Sequence, residues 1–131
     1  METVMDGPVA GKSKAFAIRI IRLYKHLCGK SPDYPLFRQL LRSGTSIGAN
    51  IKEASQGQSR KDFINKLCIA LKEANETEYW LELLYETDYV NKKEHDSIMP
   101  ECKELCRLLT AIIKTSRSIQ KTTRTKAKTI K

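Results

Sequence analysis

The sequence of 131 residues is informative first for what it lacks. No apolar run approaches the ~18–20 residues needed to cross a bilayer, so no membrane span is expected. Residues 1–11 include Glu2 and Asp6 and no apolar leader segment. They are expected to form a flexible N-terminus on a cytoplasmic protein. Only two histidines occur, His26 and His95, and neither has a partner at metal-ligand spacing. There is no glycine-rich phosphate loop and no serine or cysteine nucleophile motif. No catalytic residue, cofactor or metal is therefore expected, and the chain does not read as an enzyme. Strand signals are missing as well: no stretch alternates polar and apolar residues, and no Asn-Gly or Asp-Gly turn appears. The four cysteines, Cys28, Cys68, Cys102 and Cys106, all fall in segments with helical periodicity. A disulfide scaffold would place them in loops, and Cys102 and Cys106 lack the CxxC spacing of zinc or redox sites. They read as reduced thiols that pack like small apolar side chains.

Positive charge is what the sequence has in excess, and it is unevenly placed. The net charge is +9. From Lys114 onward there are seven bases (Lys114, Arg117, Lys121, Arg124, Lys126, Lys128, Lys131) and no acid, while residues 1–113 carry 17 bases against 15 acids.

Helical periodicity appears four times along the chain. The first helix is expected over Lys12 to Cys28, with Phe16, Ile20, Leu23 and Leu27 as its apolar stripe and Gly29 as its stop. Lys12, Arg19, Arg22 and His26 form a basic face opposite that stripe. The second is expected over Pro35 to Gln56, with Leu36, Leu40, Gly44, Ile47, Ile51 and Ala54 on one face. Gly44 and Gly48, one turn apart, either let a neighbouring backbone approach closely or break the helix; the unbroken stripe favours close approach. Ser59 caps the third helix, with Asp62 at the answering position, and the pattern persists to about Asp88. Its halves differ: residues 60–72 hold four bases and one acid, and residues 73–88 hold six acids and no base. The fourth helix has two possible starts. Asn91 with Glu94 would place Pro100 inside the helix, whereas Asp96 or Ser97 would place it in the first turn, where its missing N–H is harmless. Cys102, Leu105, Leu109 and Ile112 form the buried stripe in either case. Four such helices joined by short turns imply an all-α, antiparallel, up-down-up-down bundle over residues 12–116. The tail, residues 117–131, cannot bury a core and is expected to be disordered when free.

One stretch is more specific. Arg42-Ser43, then Ser46-Ile47-x-x-Asn50-Ile51-x-Glu53, then Ser59-x-x-Asp62-Phe63 form a connected set, completed by the run Leu67 to Glu76 and by Glu78 through Leu81. On these residues the chain resembles the four-helix-bundle proteins encoded in intervening sequences of bacterial 23S ribosomal RNA genes, over about residues 12–116. That family usually has Glu-Gly where this chain has Glu53-Ala54. The resemblance implies an antiparallel bundle assembled as a homopentamer, in a family whose cellular role is largely unassigned. A similar protein is the accessory subunit of diversity-generating retroelements, a basic pentameric barrel that binds reverse transcriptase and nucleic acid.

Asn50 and Glu53 share a helical face, and Glu78 lies near the apolar stripe of the third helix. These three are expected to belong to a structural polar network that fixes bundle register, or to a subunit contact, rather than to an acid–base pair. The charges point to function: Lys12, Arg19 and Arg22, with the basic residues of the tail, are the candidate contacts to RNA or DNA phosphates. The tail has threonines and no aromatics, which suits backbone contact with weak sequence preference. The expectation is a non-catalytic homo-oligomeric adaptor that binds nucleic acid. The alternative is a subunit that docks on another protein, such as a reverse transcriptase.

Overall fold

A computed structural model describes residues 7–32 and 34–130, with side chains described up to residue 126. Four helices follow one another: α1 (Pro8–Lys30), α2 (Pro35–Ala54), α3 (Arg60–Glu86) and α4 (Lys92–Ile130). Contacts between neighbours run in opposite directions along each pair. Ile20 meets Gly44 while Ser13 meets Gly48 across α1 and α2. Ser43 meets Thr77 across α2 and α3, while Glu53 meets Lys66. Cys102 meets Ala74 across α3 and α4, while Arg117 meets Cys68. Each helix is thus antiparallel to the next. α1 also touches α4, which closes the bundle and leaves α1 and α3 at opposite corners.

The ends of the helices follow from local chemistry. α1 begins at Pro8, four residues before the expected Lys12, because proline suits a first turn whose N–H groups have no helical partner. The gain is Val9, which is fully buried. Gly29 does not stop this helix: among the described residues no glycine has positive φ. The chain leaves the helix at Ser31, the residue that Pro32 pushes out of the α region. Ser59 caps α3 as expected, its Oγ accepting from the Asp62 N–H at 3.1 Å. α3 ends at Glu86, and Asp88 takes a left-handed φ of 68°. There the Tyr89 N–H reaches back to the Leu84 carbonyl at 2.9 Å, closing the helix end. Asn91 and Glu94 decide the start of α4 by a reciprocal cap: Asn91 Oδ1 accepts from the Glu94 N–H at 2.8 Å, and Glu94 Oε1 from the Asn91 N–H at 2.9 Å. Pro100 consequently lies inside the helix, on its exposed side.

The core runs the length of the bundle. Phe16, Ile20, Phe37, Leu40, Ile47, Leu67, Leu81, Leu84, Leu105 and Leu109 are almost fully buried. Ile113, one residue beyond the expected Ile112, completes the α4 stripe, and Ile112 is half-buried. Tyr34, Phe37 and Tyr89 seal one end, with the two tyrosine rings stacked at 4.8 Å and Phe37 edge-on to both. α2 is continuous through Gly44. A Cβ there would lie 2.8 Å from both γ-carbons of Ile20, so the glycine is where α1 comes closest. Gly48 is looser, its nearest neighbour being Ser13 Oγ at 3.4 Å.

Residues 117–130, expected to be disordered, are helical. The physical reason is that α4 is already nucleated by the buried stripe ending at Ser116, so extending it avoids the costly first turn. No glycine or proline follows Pro100, and lysine and arginine near a helix C-terminus interact favourably with the macrodipole. Residues 8–11, expected to be flexible, belong to α1; residues 1–6 lie outside the described residues.

Two glycine substitutions separate packing from propensity. Gly44→Ala should lower stability by about 1 kcal/mol, since overpacking against the stiff, β-branched Ile20 outweighs the propensity gain. Gly48→Ala should raise it by up to about 1 kcal/mol, because its Cβ meets only ordinary contacts. Urea midpoints of the two variants test this, and a stabilised Gly44→Ala would contradict the close-packing account. In the same assay Asp88→Gly, which relieves a left-handed non-glycine residue, should gain roughly 0.5–1 kcal/mol.

Candidate nucleic-acid interface

α4 divides its charge by face. Glu94, Ser97, Glu101 and Glu104, spaced three, four and three apart, look toward α1. Arg19 donates to the Ser97 carbonyl at 3.1 Å and to Ser97 Oγ at 2.8 Å, and it pairs with Glu101. Lys12 pairs with Glu104, and His26 Nε2 stands 3.5 Å from Glu94. The basic face expected on the first helix is thus largely turned inward as a zipper between α1 and α4. Of the three α1 bases named as phosphate contacts, Arg22 alone shows no acidic partner among the described residues, and it borders an open groove with Lys93 and Asn91.

The other side of α4 carries Asp96, paired with Lys92 at 2.7 Å, and is basic from Lys103 onward. Lys103, Arg107, Lys114, Arg117, Lys121 and Arg124 recur at intervals of four, seven, three, four and three, which keeps them on one face. All six are exposed. Lys103 lies 3.9 Å from Glu78, and Arg117 Nη2 lies 3.4 Å from the Cys68 sulfur. Among the described residues, Arg107, Lys114, Lys121 and Arg124 pair with no acid, and no acidic residue follows Glu104. Lys114, Arg117 and Lys121 edge a 380 Å³ surface groove between α3 and α4 that also includes Leu71, Thr110 and Ser118. Lys126 is exposed but off this face. Lys128 continues the spacing in sequence; its side chain, and Lys131, lie outside the described residues. Arg107 was not among the expected contacts. Its place four residues after Lys103 and seven before Lys114 is the signal that would have found it.

Within the chain Asn50, Glu53 and Glu78 do not bond to one another as the expected network would require. Asn50 donates to the Ser46 carbonyl of its own helix at 2.8 Å. Glu53 pairs with Lys66 at 2.7 Å on the surface, and Glu78 faces Lys103. Their side chains are long enough, or face far enough outward, to find local partners. The buried polar contact is instead Ser43 with Thr77, whose hydroxyl oxygens lie 2.9 Å apart. Above it Arg42 spans Glu73 at 3.1 Å and Glu76, and the Trp80 indole N–H donates to Glu76 at 3.1 Å. The Arg42-Ser43 pair therefore fastens α2 to α3.

The sequence profile for the 23S rRNA-intervening sequence protein matches residues 6–111. The chain belongs to that family. A crystal structure at 1.70 Å of a protein of unknown function from the S23 ribosomal protein family of Bacteroides thetaiotaomicron is 57% identical. It superposes with a TM-score of 0.79, the match covering 81% of this chain and 98% of that one. No curated protein matches the chain. The family match ends at Ala111, so the basic stripe from Lys114 onward lies beyond it.

Among the described residues no group of three His, Cys, Asp or Glu side chains is arranged to hold a metal, and no helix is long and apolar enough to cross a membrane. Cys102 is fully buried, and its thiol is pushed up by a hydrogen bond with Cys106 and by burial.

The α1–α4 zipper has a measurable coupling. In a double-mutant cycle, Arg19→Ala and Glu101→Ala should couple by about 0.2–1 kcal/mol, the range for partly exposed pairs. The coupling should shrink as salt rises. A coupling of zero at low salt would place Arg19 outside the zipper.

Proposed function

We propose that the protein is a non-catalytic, homo-oligomeric helical bundle that binds nucleic-acid phosphates along the outer face of α4. The observation that carries this reading is the stripe Arg107, Lys114, Lys121 and Arg124, which pairs with no acid among the described residues. Neutralising phosphates with such side chains releases condensed counterions, so each contact adds affinity without reading sequence.

Self-association is supported by what α1 and α3 leave uncovered. Ile18 and Ile21 are exposed on α1 among Lys14, Arg22 and Lys25, and Ile69 and Tyr79 are exposed on α3, whose later turns carry Glu82 and Glu86. These faces occupy opposite corners of the bundle. A contact from α1 of one copy to α3 of the next is head-to-tail, and such contacts close into rings when the rotation permits. Opposite charge beside the apolar positions would orient the copies. A ring, as a pentamer would be, gathers the α4 stripes of its subunits and binds one polymer by avidity.

Fluorescence anisotropy of structured RNA and duplex DNA across a salt series tests the reading, using the full chain and a version ending at Ser116, the last buried residue of α4 among the described side chains. Full-length protein should bind with a steep salt dependence that largely disappears on truncation. Arg124→Ala should lower the log–log slope by about 0.9, one phosphate contact, whereas Arg19→Ala, held in the zipper, should lower it less. If neither length binds at low salt, the reading fails and the function is to be sought in a protein partner.

A further inference from the structure

The overhang of α4 has a shape as well as a charge, and the shape distinguishes among nucleic acids. Ser118, Ile119 and Lys121 still border α1 or α3, and from residue 122 to residue 130 the helix extends ~13 Å past them at 1.5 Å per residue. The side chains of residues 118–126 are exposed apart from half-buried Gln120. A rod about 10–12 Å across is therefore free to enter a groove without the bundle colliding with its walls.

Two stripes run onto this rod from the turn beside α3 that precedes it. Arg117, Lys121 and Arg124 form the basic one. Beside it, Ser118, Thr122 and Thr125 recur at intervals of four and three, so short hydroxyl side chains line the adjoining face. The Thr122 and Thr125 hydroxyls bond back to the Ser118 and Lys121 carbonyls at 3.0 and 3.1 Å, keeping these side chains close to the helix. Short side chains let a helix approach base edges, and serine and threonine can contact a base edge or a phosphate.

Single strands are held mainly by stacking bases on aromatic rings, and no Phe, Tyr or Trp follows Tyr89. The major groove of A-form RNA is too deep and narrow for side chains to read, whereas the B-form major groove, about 12 Å wide, admits an α-helix. Resting on the phosphate-binding reading above, we infer that the overhang of α4 lies in the major groove of B-form DNA. Arg117, Lys121 and Arg124 then meet the phosphates of one strand, and Ser118, Thr122 and Thr125 face the base edges.

The test compares full-length protein on a DNA duplex, an RNA duplex of the same sequence and length, and the DNA single strand, at one salt concentration. The DNA duplex should bind at least about tenfold more tightly than either alternative, as groove entry requires. Dimethyl sulfate, which methylates guanine N7 in the major groove, should react less with the duplex when protein is bound. Thr122→Pro keeps every charge but breaks the rod outside the core, and it should abolish both the protection and the preference for DNA. Equal binding to all three polymers, tighter binding to RNA, or undiminished guanine methylation at saturation would overturn the groove assignment while leaving phosphate binding in place. No binding to any polymer would overturn the phosphate reading itself.

Discussion

The bundle depends on the absence of one methyl group at Gly44. Ile20 occupies the space a side chain there would need, and that contact sets how closely α1 and α2 approach. Ser43, the preceding residue, is about 100° away around the helix and looks at α3 instead, where it meets Thr77. Two consecutive small residues on α2 thus fix two different neighbours. With α1 and α3 both referred to α2, their stripes meet at a common core, and α4 closes the remaining side with Cys102, Leu105 and Leu109. A buried hydroxyl pair adds little net stability, but leaving one member unpaired is costly, so the Ser43–Thr77 contact selects a register more than it strengthens it.

The same economy governs charge. Glu94, Glu101 and Glu104 of α4 face α1 and answer Lys12, Arg19 and His26, while Lys14, Arg22, Lys25 and Lys30 show no ion pair among the described residues. Farther along α4, Arg107, Lys114, Lys121 and Arg124 fall on one line with no acid paired to them among the described residues. Exposed ion pairs stabilise weakly, and the zipper at Lys12, Arg19 and His26 matters more for where it leaves the remaining charge than for its strength.

Much of this was legible in the sequence because local rules and packing agree. Ser59 with Asp62 and the stripes through Phe16, Ile47, Leu67 and Leu105 lie where periodicity and capping chemistry put them, and Asn91 with Glu94 is one of the two starts that the sequence left open for α4. Gly44 could be read only as two alternatives, since a glycine in a helix signals close approach or a break until the opposing residue is known. The partners of Asn50, Glu53 and Glu78 were not legible, because a polar residue near an apolar stripe does not reveal which helix it will face. Arg19 and Lys12 looked free for the same reason: their acids lie some eighty to ninety residues away in the chain. The tail was misread on composition. Threonine-rich, basic segments fail to nucleate helices alone, but this one inherits its first turn from a packed helix.

Continuity of α4 has a further consequence for how the chain can vary. The direction in which each overhanging base points is set by counting residues back to Leu109, the last fully buried leucine of the stripe. One residue inserted after Ser116 would swing Lys121 and Arg124 by about 100° around the axis, while seven would return them almost to their original bearing. Length changes in this segment are therefore not equivalent: the phase of the helix, rather than the number of its charges, is the quantity that descent must preserve.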